Sequence, residues 1–315
     1  MEYVKLGQTN FDVSRITFGA MELGGGNAFG NGIDRWEVKS DEDNIKLLRT
    51  AFENGVTTFD TAEIYGAGHS EFFVGKALRE IRKECVIATK ISSHHLRPAD
   101  VRTAVMQSLF RLNTDYIDLY YIHSPSKEIP IEDTMHALNQ LKESGMIRAI
   151  GVSNFSLEQL KEALQFGRID AIQPEYNLLQ RDIERDLMRF CHDNAISVMS
   201  YNSIAKGILT GIFHLGGREV NDFRRNRPLF QPENMQKTKA LILALKEIAD
   251  AHSATLSQIA INWLFHQKGL TSAIIGTQNE KHFLENLKAV DIVLSDEEVA
   301  RLDVVSKQVL STLQL

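Results

Sequence analysis

CVIATKISSHHLRPADVRTAVMQSLFRLNTDYIDLYYIH, residues 85–123, holds two short apolar runs either side of one amphipathic stretch. The runs CVIATK (85–90) and IDLYYIH (117–123) are nearly continuous in apolar side chains. Runs of that kind suit strands buried on both faces of a parallel sheet. The stretch between them, 98–112, reads as a helix, with Pro98 in its first turn. Strand, helix and parallel strand make one βα repeat.

The alternation extends in both directions. Further runs are ITFG (16–19), VTTFD (56–60), RAIGVSN (148–154), AIQPEY (171–176), ISVMSY (196–201) and AIIG (273–276), which makes eight. Helical stretches lie at 43–54, 70–82, 131–144 and 156–166. Ser156 with Gln159, Thr255 with Gln258 and Ser295 with Glu298 fit the capping box that opens a helix. Eight such units without a change of composition predict a closed (β/α)8 TIM barrel, one domain over 1–315, in preference to an open doubly wound sheet. Residues before Ile16 read as a hairpin that plugs the barrel floor. Two stretches break the period: 24–40, rich in Gly and Asn, after the first strand, and 215–236, polar and arginine-rich, after the seventh. Both read as long loops, the first over the barrel mouth.

Of 315 residues, 35 are basic and 41 acidic, and the net charge of −6 gives no reason to expect a nucleic acid or an anionic membrane as partner. Cys85 and Cys191 lie in different segments without metal-ligand spacing, so they read as buried thiols, and no metal is expected. The opening MEYVKLGQTN has no apolar core of a secretory signal, and no run approaches the ~18 apolar residues of a membrane span. The expectation is a cytoplasmic protein; nothing in the sequence speaks to its oligomeric state.

In a barrel of this kind the C-terminal ends of the strands face the active site. The second run ends in Asp60, with Tyr65 five residues on in FDTAEIYG (59–66); the third ends in Lys90 and the fourth in His123. Tyr, Lys, Asp and His at one mouth form a coherent acid apparatus. A phenol near its reference pKa of about 10 holds its proton at neutrality, and a nearby ammonium lowers that value. A carboxylate keeps the ammonium charged, and an imidazole donates to a carbonyl oxygen as negative charge develops there. Singly, each has a plainer reading: Asp60 as a helix cap, Tyr65 as packing, Lys90 as a buried ion-pair or Schiff-base lysine, His123 as a core histidine.

The ordered set FDTAEIYG, ATK, YYIHSP, GVSNF, QPEYNLL, ILTG and IIGTQNEKHFLEN resembles the aldo-keto reductase family, from Ile16 to about Asn286. The resemblance implies NAD(P)H-dependent reduction of a small aldehyde or ketone, with Tyr65 as proton donor, Lys90 and Asp60 tuning it and His123 orienting the carbonyl. It implies that Ser153, Asn154 and Gln173 hold the nicotinamide carboxamide, and that Tyr201 stacks under the ring so that the 4-pro-R hydrogen is delivered. Gly19, Ala20 and Met21 at the first strand end join the cofactor site. Asn202, Ile204, Lys206 and Gly207 belong to the segment around the pyrophosphate, and Gly276, Gln278, His282, Glu285 and Asn286 to the adenosine site. Met21, Leu23, His94 and His95 are candidates for the substrate pocket, together with residues of the long loop over 215–236.

Two positions depart from the family pattern. Ser203 stands where a proline is common, and Gln278 stands where NADPH-preferring relatives carry an arginine for the 2′-phosphate. An amide offers a phosphate only neutral hydrogen bonds. NADP(H) is still expected ahead of NAD(H), with Lys281, Lys206 or Arg224 supplying the charge. GGGNAFG (24–30) lacks the GxGxxG spacing and following helix of a dinucleotide-binding turn. An alternative function of the same fold is a cofactor-bound regulatory protein with little turnover, as in the potassium-channel β subunits. A third reading, a cofactor-free lyase using Lys90, leaves GVSNF and IIGTQN unexplained.

Overall fold

The computed structural model describes residues 1–25 and 39–314, and among them eight strands close into a parallel barrel. An antiparallel hairpin, β1 (Tyr3–Lys5) and β2 (Asp12–Ser14), comes first. The barrel strands are β3 (Ile16–Gly19), β4 (Thr58–Asp60), β5 (Val86–Ile91), β6 (Ile117–Ile122), β7 (Ile147–Ser153), β8 (Ala171–Gln173), β9 (Ser197–Ser200) and β10 (Leu270–Gly276). Strand β10 pairs with both β9 and β3, and the ring closes from Ala273↔Ile16 to Gly276↔Gly19. Each of the eight apolar runs therefore holds one barrel strand.

Helices α1 (Asp41–Glu53), α2 (His69–Leu78), α3 (Pro98–Leu112), α4 (Ile131–Glu143), α5 (Leu157–Ala163) and α6 (Leu187–Asp193) follow β3 to β8 in turn. Two helices, α7 (Pro232–Ala251) and α8 (Leu256–Phe265), separate β9 from β10; α9 (Glu280–Leu287) follows β10, and α10 (Asp296–Leu310) packs on α7. All three capping boxes form, at Ser156, Thr255 and Ser295.

Some boundaries differ from the sequence reading. Helix α1 begins at Asp41 because Ser40 is its cap, accepting from the Asp43 amide at 3.1 Å. The helix expected over 70–82 ends at Leu78 and continues as 3-10 turns to Glu84, where Ile81 leaves helical geometry (φ −115°, ψ 18°). The loop expected over 215–236 contains two 3-10 turns and ends where α7 opens on Pro232, a residue preorganised for a first helical turn. Of the expected loop over 24–40, residues 26–38, with most of GGGNAFG, lie outside the described residues.

The strand period of two decides what the mouth contains. Leu6 and Val13 of the hairpin are fully buried against Val86, Ala88, Leu119, Tyr121, Ala149, Ala171 and Met199, the inward residues of the barrel. The hairpin thus closes the floor. Two residues further along each strand, the same inward face carries Lys90 after Ala88, His123 after Tyr121, Gln173 after Ala171 and Tyr201 after Met199. Gly151 leaves room for this arrangement: a Cβ there would meet the Tyr121 ring carbons at 2.4 Å.

Candidate active site

Lys90 is fully buried, with Nζ 2.5 Å from Asp60 Oδ1 and 2.7 Å from the Thr61 carbonyl oxygen. The other Asp60 oxygen accepts from Gln173 Nε2 at 2.8 Å. The ammonium also lies 4.9 Å from the centroid of the Tyr65 ring, and that ring meets His123 edge-on, with centroids 5.7 Å apart. Asp60 and Lys90 stand behind, while Tyr65 and His123 are partly exposed in front.

The turn that carries Tyr65 is held by main chain. The Tyr65 amide bonds the Ala62 carbonyl at 3.1 Å, and Gly66 follows in the left-handed region (φ +59°). A Cβ on Gly66 would lie 2.2 Å from the Gly24 carbonyl oxygen, and one on Gly24 would lie 2.7 Å from the Gly66 nitrogen. The two glycines bring the backbones of the tyrosine turn and the first strand's loop into contact.

Burial works against the Lys90 charge, yet Asp60 and Tyr65, through charge and hydrogen bonds, raise its pKa above the ordinary lysine value. The lysine is therefore a fixed cation. Burial also raises the Tyr65 hydroxyl above the usual phenol range; Lys90 opposes this by charge and hydrogen bond, while the Asp60 charge adds to it. The sequence reading has the ammonium lowering the phenol; in the structure burial outweighs that pull. Burial, and then Lys90, hold His123 down to about 3, so its ring is neutral at physiological pH. A neutral imidazole still has one N–H to donate.

The residues next to this group are bound to it and to each other. Ser153 Oγ donates to the Gln173 carbonyl at 2.8 Å. Asn154, at φ +61°, sends Nδ2 to the His123 carbonyl at 2.9 Å and accepts the Tyr201 hydroxyl at 2.8 Å. Asn202 (φ +58°) donates to Glu175 Oε1 at 2.5 Å and accepts the Lys206 amide at 2.6 Å. Ala205 and Lys206 are also left-handed, at φ +49° and +51°. Such conformations cost on the order of 1–3 kcal/mol each and persist where surroundings over-determine them.

One cavity of about 1120 Å³ runs from Asp60, Tyr65 and His123, past Ser153, Asn154, Gln173 and Tyr201, to Glu285 and Asn286. Gly19, Met21, Asn202, Ile204, Lys206, Gly207, Gly276 and His282 line it as well. Six nominated residues do not, among them the fully buried Lys90. Ala20 and Leu23 are buried in the hydrophobic core; a 3-10 turn at Met21–Gly24 rotates successive side chains, sending Leu23 inward. Gln278 donates its side-chain amide to the Glu22 carbonyl at 2.9 Å. His94 and His95 sit on a 3-10 turn after β5, where His95 Nδ1 is 2.9 Å from Glu63 Oε1. Lys281 is also absent from the lining, and Arg224, which is in it, has Nε and Nη2 on Asp222 at 2.9 and 2.5 Å.

The sequence reading missed Glu22 and Lys246, which line the cavity, while Arg218 and Arg227 of the loop over 215–236 line it as expected. Ser203, in place of the family proline, lines it too and donates to the Ile274 carbonyl at 3.0 Å, tying its loop to the barrel. Among the described residues there is no cluster that could hold a metal ion, and no helix is long and apolar enough to cross a membrane.

The sequence matches known proteins over nearly its whole length. The model of the Aldo/keto reductase family matches residues 15–307. An aldo-keto reductase of Bacillus subtilis, YhdN, is 34% identical over 290 residues, 88% of this chain and 85% of the relative. The NADH-specific methylglyoxal reductase of Escherichia coli is 33% identical over 322 residues, 94% of this chain and 95% of the relative. Among solved structures, an aldo-keto reductase from Klebsiella pneumoniae in complex with NADPH is 28% identical, with a TM-score of 0.77, and covers 100% of this chain and 99% of that one. With this barrel, and with these matches from end to end, the chain belongs to the aldo/keto reductase family.

Proposed function

We propose that this protein reduces a small aldehyde or ketone to the alcohol, reversibly, with Tyr65 as proton donor and NAD(P)H as reductant. The observation that carries the reading is the buried Lys90 cation between Asp60 and the Tyr65 ring, with a neutral His123 edge-on to the same tyrosine in one cavity. The cavity suits a dinucleotide in size, since sites for single small molecules run ~300–1,000 Å³. Its lining also suits one: amide and hydroxyl groups of Ser153, Asn154 and Gln173 beside the tetrad, then Lys206 and Arg224 further along.

The bound cofactor supplies a hydride from nicotinamide C4 to the carbonyl carbon. The chain's own groups manage the oxygen. His123 donates a hydrogen bond to it as negative charge develops. Tyr65 transfers its phenolic proton to it, and Lys90 stabilises the phenolate left behind. Asp60 keeps Lys90 charged and fixed, and Gln173 holds Asp60. One carbonyl, one hydride and one proton give one alcohol and the oxidised cofactor; the tyrosine is reprotonated from solvent.

NADP(H) is the proposed cofactor ahead of NAD(H), in line with the NADPH-bound Klebsiella neighbour. Lys206, one of the cations that line the cavity, is the proposed partner of a 2′-phosphate. The preference is modest, because Gln278 is turned to Glu22 and Arg224 shares its charge with Asp222. The NADH-specific E. coli relative has the opposite choice of cofactor within the same family.

Tyr65→Phe tests the assignment. General acid catalysis contributes ~10²–10⁴-fold, so kcat for aldehyde reduction should fall at least that far while cofactor Kd hardly moves. A variant that keeps most of its kcat where chemistry limits the rate refutes the role of Tyr65.

A further inference from the structure

Glu22 is an acid in a cleft whose lining also carries Lys206 and Arg224. It lies on the 3-10 turn Met21–Gly24 and lines the cavity. Its carboxyl carbon is 3.8 Å from where a Cβ on Gly276 would stand, and the carboxylate accepts the Gln278 backbone N–H. Lys206 and Arg224, which line the same cavity, act on it as charges. Helix α2, packed against the turn, meets it through Ser70, whose hydroxyl donates to the Ala20 carbonyl at 2.7 Å. The Gln278 side chain is drawn to the same turn by its bond to the Glu22 carbonyl oxygen.

Position gives this carboxylate its meaning. With nicotinamide at the tetrad and adenine near Glu285 and Asn286, an extended dinucleotide lays its phosphates along the middle of the cleft. Lys206, Gly207 and Gly276 line that middle, and Glu22 faces it. An amide N–H with the fields of a lysine and an arginine around it makes a place that favours an anion. Here the anion is part of the protein.

We propose that Glu22 is an internal anion in the phosphate-binding part of the cofactor cleft, and that it takes up a proton when the dinucleotide binds. It then acts as a charge discriminator, weakening both cofactors at alkaline pH and penalising the additional charge of NADPH most. The proposal rests on the reading of this cavity as the cofactor site. Burial works in the same direction, raising the Glu22 carboxyl to about 7 against the opposing Gln278 N–H, Arg224 and Lys206. The proton comes from solvent and returns to it on release, so the redox balance of the reaction is untouched.

The test is the pH dependence of Kd, read by fluorescence quenching with NADH, whose pyrophosphate does not titrate between pH 6 and 8.5. With a free-protein value of about 7 and binding confined to the protonated form, affinity falls up to about thirtyfold over that interval. Glu22→Gln, close in shape and uncharged, should bind NADH tightly at both ends of the range and gain more for NADPH than for NADH at pH 8.5. On the unaltered protein, calorimetry at pH 8 in two buffers of different ionisation heat should count about one proton taken up per dinucleotide bound. A pH profile shared by both proteins, or no proton uptake, overturns the proposal. If neither dinucleotide binds either protein at any pH, the cofactor reading falls instead, and the proposal with it.

Discussion

Replacing Lys90 by Met, alone and together with Asp60→Asn, separates the structural part of the buried ion pair from its chemical part. Removing the ammonium leaves a carboxylate on a residue only 4% exposed, with Gln173 Nε2 still donating at 2.8 Å. Breaking a buried pair from one side costs about 3–5 kcal/mol. For 315 residues, an unfolding entropy of about 2.1 cal/mol/K per residue turns that cost into a fall in Tm of about 5–8 °C. The double variant pairs two uncharged side chains of nearly the original shape, so most of the loss should return, on the order of 2–4 kcal/mol. Turnover should not follow. Neither variant has a cation to support the Tyr65 phenolate, and kcat should stay at least ~10²-fold down in both. Calorimetric melting and the absorbance of the reduced cofactor measure the two quantities independently. A double variant no more stable than Lys90→Met alone refutes the ion-pair account. Recovery of kcat along with stability refutes the chemical one.

Tyr201, bonded to Asn154 on the wall beside Gln173, should fix one ring face, so stereospecifically deuterated cofactor should transfer its 4-pro-R label; transfer from the 4-pro-S position contradicts that orientation. His123, held by burial and Lys90 to about 3 against an unfolded value of 6.5, refuses a proton that the unfolded chain accepts. Its contribution to stability is therefore intact above pH 6.5 and declines as pH falls toward 3, and His123→Gln should flatten that part of a urea-unfolding profile; coincident profiles would contradict this. Gln278→Arg should tighten NADPH by about 1–3 kcal/mol if the guanidinium turns from the Glu22 backbone to the 2′-phosphate. Equal changes in the Kd of NADH and NADPH would place residue 278 away from that phosphate.

The barrel was legible because buried parallel strands write themselves as short apolar runs, and the period of two then places Lys90 and His123 on the inward face. The capping boxes at Ser156, Thr255 and Ser295 were legible for a similar reason, since each is complete within four residues. What escaped the reading depends on distant partners. Glu22 looks like any acid among apolar neighbours; its surroundings come from Gln278 and Arg224, more than 200 positions away. Leu23 sits in the loop expected to line the pocket, but a 3-10 turn carries it into the core. Arg224 reads in the sequence as a charge for the 2′-phosphate, and only the folded loop brings Asp222 against it. The Tyr65 hydroxyl shows the same limit: types and order identify a lysine beside a phenol, while the degree of burial decides which influence prevails.

The contact between Gly24 and Gly66 divides the protein for anyone who would redesign it. Main chain against main chain leaves no side chain to repack, so the reach of the tyrosine into the mouth is set by a spacer of fixed thickness. Ala at either glycine would move the acid before it altered any pocket wall, and should appear as lost rate with little change in substrate range. Variation intended for new substrates belongs in the segment that carries Arg218 and Arg227, where the chain can change without shifting that spacer.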